Sequence, residues 1–341
     1  VSMQRQVHQA GLAGAARHAM VVIAALWLSA CASSPSHEGL ADEPPQQRSA
    51  DRFWQHVDAA AGHDWFHLLD GGDEAMTWRL RMIDSAHHAI DLETFLWMED
   101  SLGLRVVSHL LAAADRGVKV RLLLDDAFTS HEDLTLLAME QHPNIELRVY
   151  NPYGLRVGGT SGRVLFNIMD FRRVNHRMHN KALVIDGWAA TIGGRNLADE
   201  YFGLHDEYNF RDMEVIVMGD GVDGVAAHFA AFWNSEWSVP ALEVFDAGHA
   251  AADLEALRAR LRDQVGPVQV ATEEELEALW RAAAGQAASG RAHFVSDQPA
   301  SPGAEPAEAP PDQMARFIID TIDSATEEVT PVSSTHLTLP T

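Results

Sequence analysis

Helical and strand-like periods alternate without a break from Asp73 to Tyr150, and this alternation leaves few folds open. Residues 73–88 repeat at helical spacing, with Trp78, Met82 and Ile83 on one side. Residues 90–97 alternate apolar and polar, as a strand does when successive side chains face opposite ways. Residues 102–116 return to the helical period and stop at Gly117, a residue suited to a helix C-cap. A strand over 119–124 ends at Asp125-Asp126, a helix covers 131–141, and a strand covers 145–150. Strands connected through helices run parallel and are covered on both faces. The expected class is therefore α/β, with a mixed, mostly parallel sheet flanked by helices on both faces.

A second pattern follows. Residues 181–185 and 188–192 are apolar runs on either side of Asp186-Gly187, a strong short-range hairpin signal. A two-residue turn would pair Ile185 with Trp188, and so place Gly194 opposite His179 and Gly193 opposite Asn180. His179 and Lys181 are two residues apart and share a face. Glycine opposite His179 would leave backbone room for a phosphate. A further strand is expected over 213–218, then helices over 222–237 and 250–263, whereas 283–312 is rich in Ala, Gly and Pro and reads as a linker. Trp233 and Trp237, at i and i+4, read as helix-packing residues.

The chemistry is concentrated in this hairpin. The chain has two lysines, Lys119 and Lys181, in a Lys plus Arg total of 25. A lysine at 181 marks a place that wants a compact ammonium rather than a planar fork. His179-x-Lys181-x4-Asp186, followed by Gly193-Gly194-x-Asn196, is the constellation of a phosphodiester-cleaving site that works without a metal or cofactor. Imidazole attacks phosphorus at neutral pH and forms a phosphohistidine. The Lys181 ammonium and the Asn196 amide offset charge on the phosphoryl oxygens. A carboxylate that orients the imidazole completes the set, with Asp212 first and Glu207 second. Asp186 lies an odd number of residues from both His179 and Lys181, so within the catalytic set it reads as a turn and supporting residue. His176, Arg172, Arg173 and Arg177 form a basic cluster in an acidic chain, and either bind a headgroup phosphate or sit in a solvated loop. Glu93 could line the cleft, although a structural polar role fits a strand carboxylate as well.

The N-terminus reads as a targeting segment. Arg5 and Arg17 precede an apolar run over 20–28 that is too short to span a bilayer. Leu28-Ser29-Ala30-Cys31 then has the form of a lipobox, which would make residues 1–30 a signal peptide and Cys31 a lipidation site. Cys31 is the only cysteine, so an internal disulfide is excluded. Residues 31–50 read as a tether, followed by a first domain over 51–282. The expected location is the bacterial envelope, facing the periplasm, anchored by lipid. A formal charge of −24 opposes nucleic acid as a partner.

Ile83-Asp84-Ser85-Ala86 recurs as Ile322-Asp323-Ser324-Ala325, a shift of 239 positions. A second unit is therefore expected to begin near 313, with a counterpart of His179 near position 418. The last residues, 331–341, do not resemble the strand region that this shift predicts, so the chain reads as truncated after the first half, with a foreign tail.

The spacing His179-x-Lys181-x4-Asp186 with Gly193-Gly194-x-Asn196 resembles the phospholipase D superfamily. Asn175–Lys181, Gly193–Asn196, Asp199–Phe202, Leu68–Gly72, Ala114–Val118 and Leu122–Asp126 are similar to bacterial cardiolipin synthases of the C type. The resemblance implies the phospholipase D fold and two such motifs facing each other, one histidine as nucleophile and the other as acid. No second His-x-Lys is present, so the chain holds half of that site and would need a missing second half or a homodimer. The expected function is a membrane-anchored phosphatidyltransferase or phospholipase D acting on phosphatidylglycerol or a similar phospholipid. The alternatives are a nuclease of the same superfamily, or an inactive fragment.

Overall fold

A computed structural model describes residues 42–57, 64–128, 133–154, 176–245, 253–299 and 313–328. The signal segment, Cys31, Arg172 and Arg173 lie outside them. Among the described residues nine strands form one sheet: β1 (Asp64–Leu69), β2 (Ala89–Thr94), β3 (Lys119–Asp125), β4 (Ile145–Tyr150), β5 (Ala182–Ile185), β6 (Ala189–Gly193), β7 (Glu214–Met218), β8 (Ser238–Pro240) and β9 (Ala288–Gly290). Their order is β8-β4-β3-β2-β5-β6-β7-β1-β9. The helices are α1 (Arg52–Val57), α2 (Gly72–Ser85), α3 (Ser101–Asp115), α4 (Asp133–Glu140), α5 (Val222–Trp233), α6 (Ala241–Val244), α7 (Leu254–Gln264), α8 (Glu273–Gln286) and α9 (Gln313–Ser324).

The sheet is mixed and lies between helices, but its balance differs from the expected mostly parallel one. Only β2-β3-β4, the strands joined through α3 and α4, pair in parallel. The pairs β2-β5, β5-β6, β6-β7, β7-β1, β1-β9 and β4-β8 are antiparallel. The physical reason is connection length. A helix-long crossover returns a strand in the same direction, whereas the tight turn at Asp186-Gly187 reverses it.

Both faces are buried, which explains the near-continuous burial of β3. Leu122 and Leu124 face the side covered by α2 and α3, and Leu123 faces α5 with Phe229 and Trp233. Trp280 of α8 sits among Trp54, Trp65 and Trp78, with ring centroids at 5.4, 6.1 and 5.0 Å, and donates Nε1–H to Ser85 Oγ at 2.8 Å. A buried indole of this kind contributes about 3–5 kcal/mol. It ties α8 to the start of the domain.

Two segment boundaries shift. The stretch from 283, expected as a linker, continues α8 to Gln286 and then adds β9 to the edge strand β1. The end of the expected tether is docked as well. Glu43 N donates to Asn234 Oδ1 at 3.0 Å, Ser49 N donates to the Asp186 carbonyl at 3.0 Å, and Trp188 Nε1 donates to the Ser49 carbonyl at 2.7 Å. The internal echo has a structural counterpart. α2 and α9 both stop at the serine of the repeated tetrapeptide, and the following alanine N–H donates to the isoleucine carbonyl in each, Ala86 to Ile83 and Ala325 to Ile322. α2 buries Trp78, Met82 and Ile83, whereas α9 exposes Phe317, Ile318 and Ile322. No helix among the described residues is long and apolar enough to cross a membrane.

Candidate active site

The turn at Asp186-Gly187 forms with both residues in the left-handed region, φ 52° and 67°, and Trp188 N donates to the Ile185 carbonyl at 3.0 Å. Trp188 is then an extra residue, and Ile185 pairs with Ala189 rather than Trp188. The register therefore differs by one from the expected pairing. Regular pairing also begins at Ala182, so His179, Asn180 and Lys181 lead into the strand rather than lying on it.

Their approach is fixed from behind by Asp125. Its buried carboxylate accepts Met178 N at 2.8 Å and Ala127 N at 2.8 Å, and pairs with Arg177 Nη1 at 3.2 Å. Burial outweighs these partners and pushes the Asp125 carboxyl up to about 6. Arg177 also donates to the Asn151 carbonyl at 2.9 Å. His176 is shared between the Tyr150 hydroxyl, at 3.0 Å, and the Trp237 ring, at 4.7 Å between centroids. Both described residues of the expected headgroup cluster, His176 and Arg177, are thus engaged with the protein, where they anchor the segment that delivers His179.

His179 reaches the rim of a cleft of about 550 Å³, and Lys181 enters it half-buried. Phe95 organises the pair: its ring lies 4.7 Å from the His179 ring and 5.5 Å from Lys181 Nζ. Lys181 Nζ donates to the His179 carbonyl at 3.0 Å. Burial, then the Lys181 charge, hold the His179 imidazole below the usual histidine range, against the pull of Asp212. Burial lowers the Lys181 ammonium to about 8, partly offset by Asp212 and Glu93. The imidazole is therefore neutral, and the ammonium charged, over the same neutral interval.

Asp212 is buried just before β7. Its Oδ1 accepts the Met213 N–H at 2.9 Å, and its Oδ2 is buried without a hydrogen-bond partner. Glu207 is exposed. The two glycines serve packing rather than an open space for phosphate: a Cβ on Gly194 would collide with the Asp212 carboxylate, and one on Gly193 with the Met213 carbonyl. Gly194→Ala is accordingly expected to lower stability by about 1–3 kcal/mol by overpacking. A thermal melt measures this, and an unchanged midpoint would show that Asp212 does not depend on the glycine.

Asn196 is buried, its Oδ1 accepts Leu96 N at 3.2 Å, and its side chain is also hydrogen-bonded to the Tyr201 hydroxyl. Its loop is clamped by reciprocal acids. Asp100 Oδ2 accepts Asp199 N at 2.7 Å, while Asp199 Oδ1 accepts Leu102 N at 2.8 Å. Burial, with Asp199 nearby, pushes Asp100 up to about 6. Arg195, fully buried, donates to the carbonyls of Leu69, Asp70, Tyr201 and Asp212, so it joins the Asn196 loop to the Asp212 backbone. Asp186 lies at the far end of β5, away from this cleft. It receives N–H donors from Trp54, His87, His88 and Ala89, each at 2.8 Å.

Spacing gives no signal for Phe95, Arg195 or His228, and marks Glu93 only as a cleft candidate. Phe95 and Glu93 are two apart on or just after β2, and only the pairing of β2 with β5 brings them to Lys181.

Residues 80–233 match the family described as cardiolipin synthase, PLD-like domain. Cardiolipin synthase C of Escherichia coli (strain K12) is 42% identical over 178 residues, 52% of this chain and 37% of that protein. Cardiolipin synthase 1 of Staphylococcus aureus (strain COL) is 29% identical over 180 residues, 52% of this chain and 33% of that protein. The chain thus spans about a third of the length of these curated relatives. Among solved structures, phosphatidylserine synthase from Haemophilus influenzae Rd KW20 aligns with a TM-score of 0.39 and 13% identity, over 63% of this chain and 47% of that one. The phospholipase D family member Nuc from Salmonella typhimurium aligns with a TM-score of 0.36 and 16% identity, over 52% and 97%.

Proposed function

We infer that this protein is an envelope-anchored phosphatidyltransferase or phospholipase D, a reading supported by the match of residues 80–233 to a cardiolipin synthase, PLD-like domain. The observation that carries the reading is the meeting of His179 and Lys181 at one cleft whose wall includes Leu68, Ile192, Val215 and Phe294, with the charge of the buried Asp212 acting on both. The polar groups suit a phosphodiester, and the apolar wall suits the lipid attached to it. His179 attacks phosphorus, the P–O bond to the leaving alcohol breaks, and phosphohistidine forms. An alcohol or water then takes the phosphatidyl group and releases the imidazole. Lys181 and the Asn196 amide steady the phosphoryl oxygens, and Asp212 orients and balances the imidazole. His176 and Arg177 hold the approach to the cleft, Gly193 and Gly194 admit Asp212, and Asp186 fixes the hairpin. The leaving alkoxide requires an acid, which in this reading comes from a second His-x-Lys unit in a further half or a second copy. Cys31 would carry the lipid anchor.

Incubation with labelled phosphatidylglycerol in vesicles, and in parallel with DNA, tests the reading. Lipid turnover with label trapped on His179 is the expected result. DNA cleavage without lipid turnover would overturn it in favour of a nuclease.

The shifted groups set a pH window. The neutral imidazole is available above the lowered pKa of His179, and the Lys181 ammonium is lost as pH rises through about 8. The rate of phosphohistidine formation is expected to fall on the alkaline side near pH 8. In Lys181→Arg that alkaline fall should vanish, because guanidinium stays charged, although the rate itself drops with the loss of the compact ammonium. An alkaline limb unchanged in the Arg variant would assign it to another group.

A further inference from the structure

The cleft floor holds a pair of buried polar side chains that the phosphate chemistry does not use. Glu93 on β2 is 1% exposed and His228 on α5 is 7% exposed, and His228 Nε2 lies 3.2 Å from Glu93 Oε1. Each spends one atom on the other. The remaining two, Glu93 Oε2 and His228 Nδ1, are buried without any hydrogen-bond partner. Buried polar atoms left unpaired are costly, and although Asn180 Nδ2 and Glu214 Oε2 in the same lining are also without a partner, these two belong to one contacting pair, which needs an explanation.

Their position supplies one. Glu93 pairs across the sheet with Ala182, so it stands one residue from Lys181, and both Glu93 and His228 line the cleft that His179 enters. Apolar side chains border the pair, and the polar lining residues Asn180, Glu214, Ser296 and Asp297 complete the cleft. Phe232 and Phe294 flank the His228 ring at 4.7 and 5.6 Å, and Ile192, Val215 and Leu68 continue the same row of the sheet. One acceptor and one imidazole nitrogen, on two side chains in contact and bordered by apolar groups, match the hydroxyls of a polyol, which donate to the carboxylate oxygen and either accept from or donate to the ring. A second phosphate would be repelled by Glu93. A plain alkyl group would leave both atoms unpaired, and a site built to hydrogen-bond a hydroxyl discriminates strongly against an analogue that lacks it.

We propose that Glu93 and His228 form a hydroxyl-recognition subsite beside the phosphate position, selecting a phosphodiester whose headgroup is a polyol. This deepens the reading of the cleft as a phospholipid site and rests on it for the identity of the phosphate position.

The test is a binding measurement, which needs no turnover. The full chain is titrated calorimetrically with glycerophosphoglycerol and with diethyl phosphate, which carries no hydroxyl. Wild type is expected to bind the polyol diester at least about tenfold more tightly. Glu93→Gln and His228→Gln are each expected to bring the two ligands within about threefold, with diethyl phosphate affinity unchanged in His228→Gln; in Glu93→Gln, whose charge acts on Lys181, the ratio of the two affinities is the readout. Near-ultraviolet circular dichroism reports whether each variant is folded, so one folded variant is enough to read the result. Absence of a preference in wild type, or a preference kept in a folded variant, would overturn the subsite. Free glycerol added with diethyl phosphate separates the sources of the hydroxyl: enhanced binding indicates a separate acceptor alcohol, no enhancement indicates the esterified headgroup, and either supports the subsite when the wild-type preference is present. A preference that follows Glu93 and His228 in a protein that never labels His179 would retain the subsite and defeat the phosphohistidine reading.

Discussion

His179→Asn is expected to abolish phosphohistidine formation and to lower lipid turnover by about 10⁴-fold or more, the scale seen when a covalent nucleophile is removed. Asparagine keeps a polar group of similar reach against Phe95 but cannot form a covalent phosphoryl intermediate. The residue lies at the cleft rim with its ring exposed to solvent on one side, and its carbonyl holds Lys181 through a backbone contact that the substitution leaves in place. Stability should therefore change little, and the loss should fall on the chemical step. Acid-stable and acid-labile label are compared after a brief incubation with phosphatidylglycerol labelled in the phosphate, and the melting midpoint is recorded for the same preparations. Turnover retained within tenfold of wild type would remove His179 from the role of nucleophile.

The parts of this site that spacing reveals are those that lie close together in the chain. His179 and Lys181 stand two residues apart, and the scarcity of lysine makes Lys181 conspicuous against the arginines. The turn at Asp186-Gly187 is equally local, because the two positive φ angles it requires restrict the residue types. Trp188 shows where local reasoning stops. Its role as an extra residue depends on the pairing of β6 with β7 and on its indole reaching the Ser49 carbonyl, contacts 139 positions apart in the chain for the indole. One residue of shift was enough to misplace every partner expected for His179 and Asn180.

Strand direction was hidden for a related reason. β2, β3, β5 and β7 are all short and strongly buried, and burial on two faces erases the alternation that separates an exposed antiparallel strand from an enclosed one. The basic cluster shows the reverse problem. Arg177 stands out as a charge in an acidic chain, but its partner Asp125 is 52 positions away, and only the fold reveals that the charge is already spoken for. Phe95 gives no chemical signal at all, since an aromatic residue after a strand reads as core until His179 and Lys181 are placed against it. Glycines 193 and 194 were legible as necessary, but for a different reason from the one that holds: the volume they vacate admits Asp212 and the Met213 carbonyl.

Asp186→Asn should separate architecture from chemistry. Asp186 is 1% exposed and its two carboxylate oxygens receive four donors, Trp54 Nε1 and His87 N on one, His88 N and Ala89 N on the other. Asparagine tolerates the φ of 52°, so backbone strain does not change. Its amide nitrogen, however, would face donors and leave up to two of them unpaired, at about 1–3 kcal/mol each. A loss of roughly 2–4 kcal/mol is expected, measured by urea unfolding. The consequence for the site is indirect. These hydrogen bonds lock the turn of β5 and β6 to the start of β2, and that register sets Glu93 beside Ala182 and Phe95 beside His179. At a temperature where the variant is folded, label should still accumulate on His179, because no atom of Asp186 reaches the cleft. A variant with wild-type stability that fails to form phosphohistidine would move Asp186 from the framework into the chemistry, and the third letter of the motif would then need a contact that the folded chain does not show.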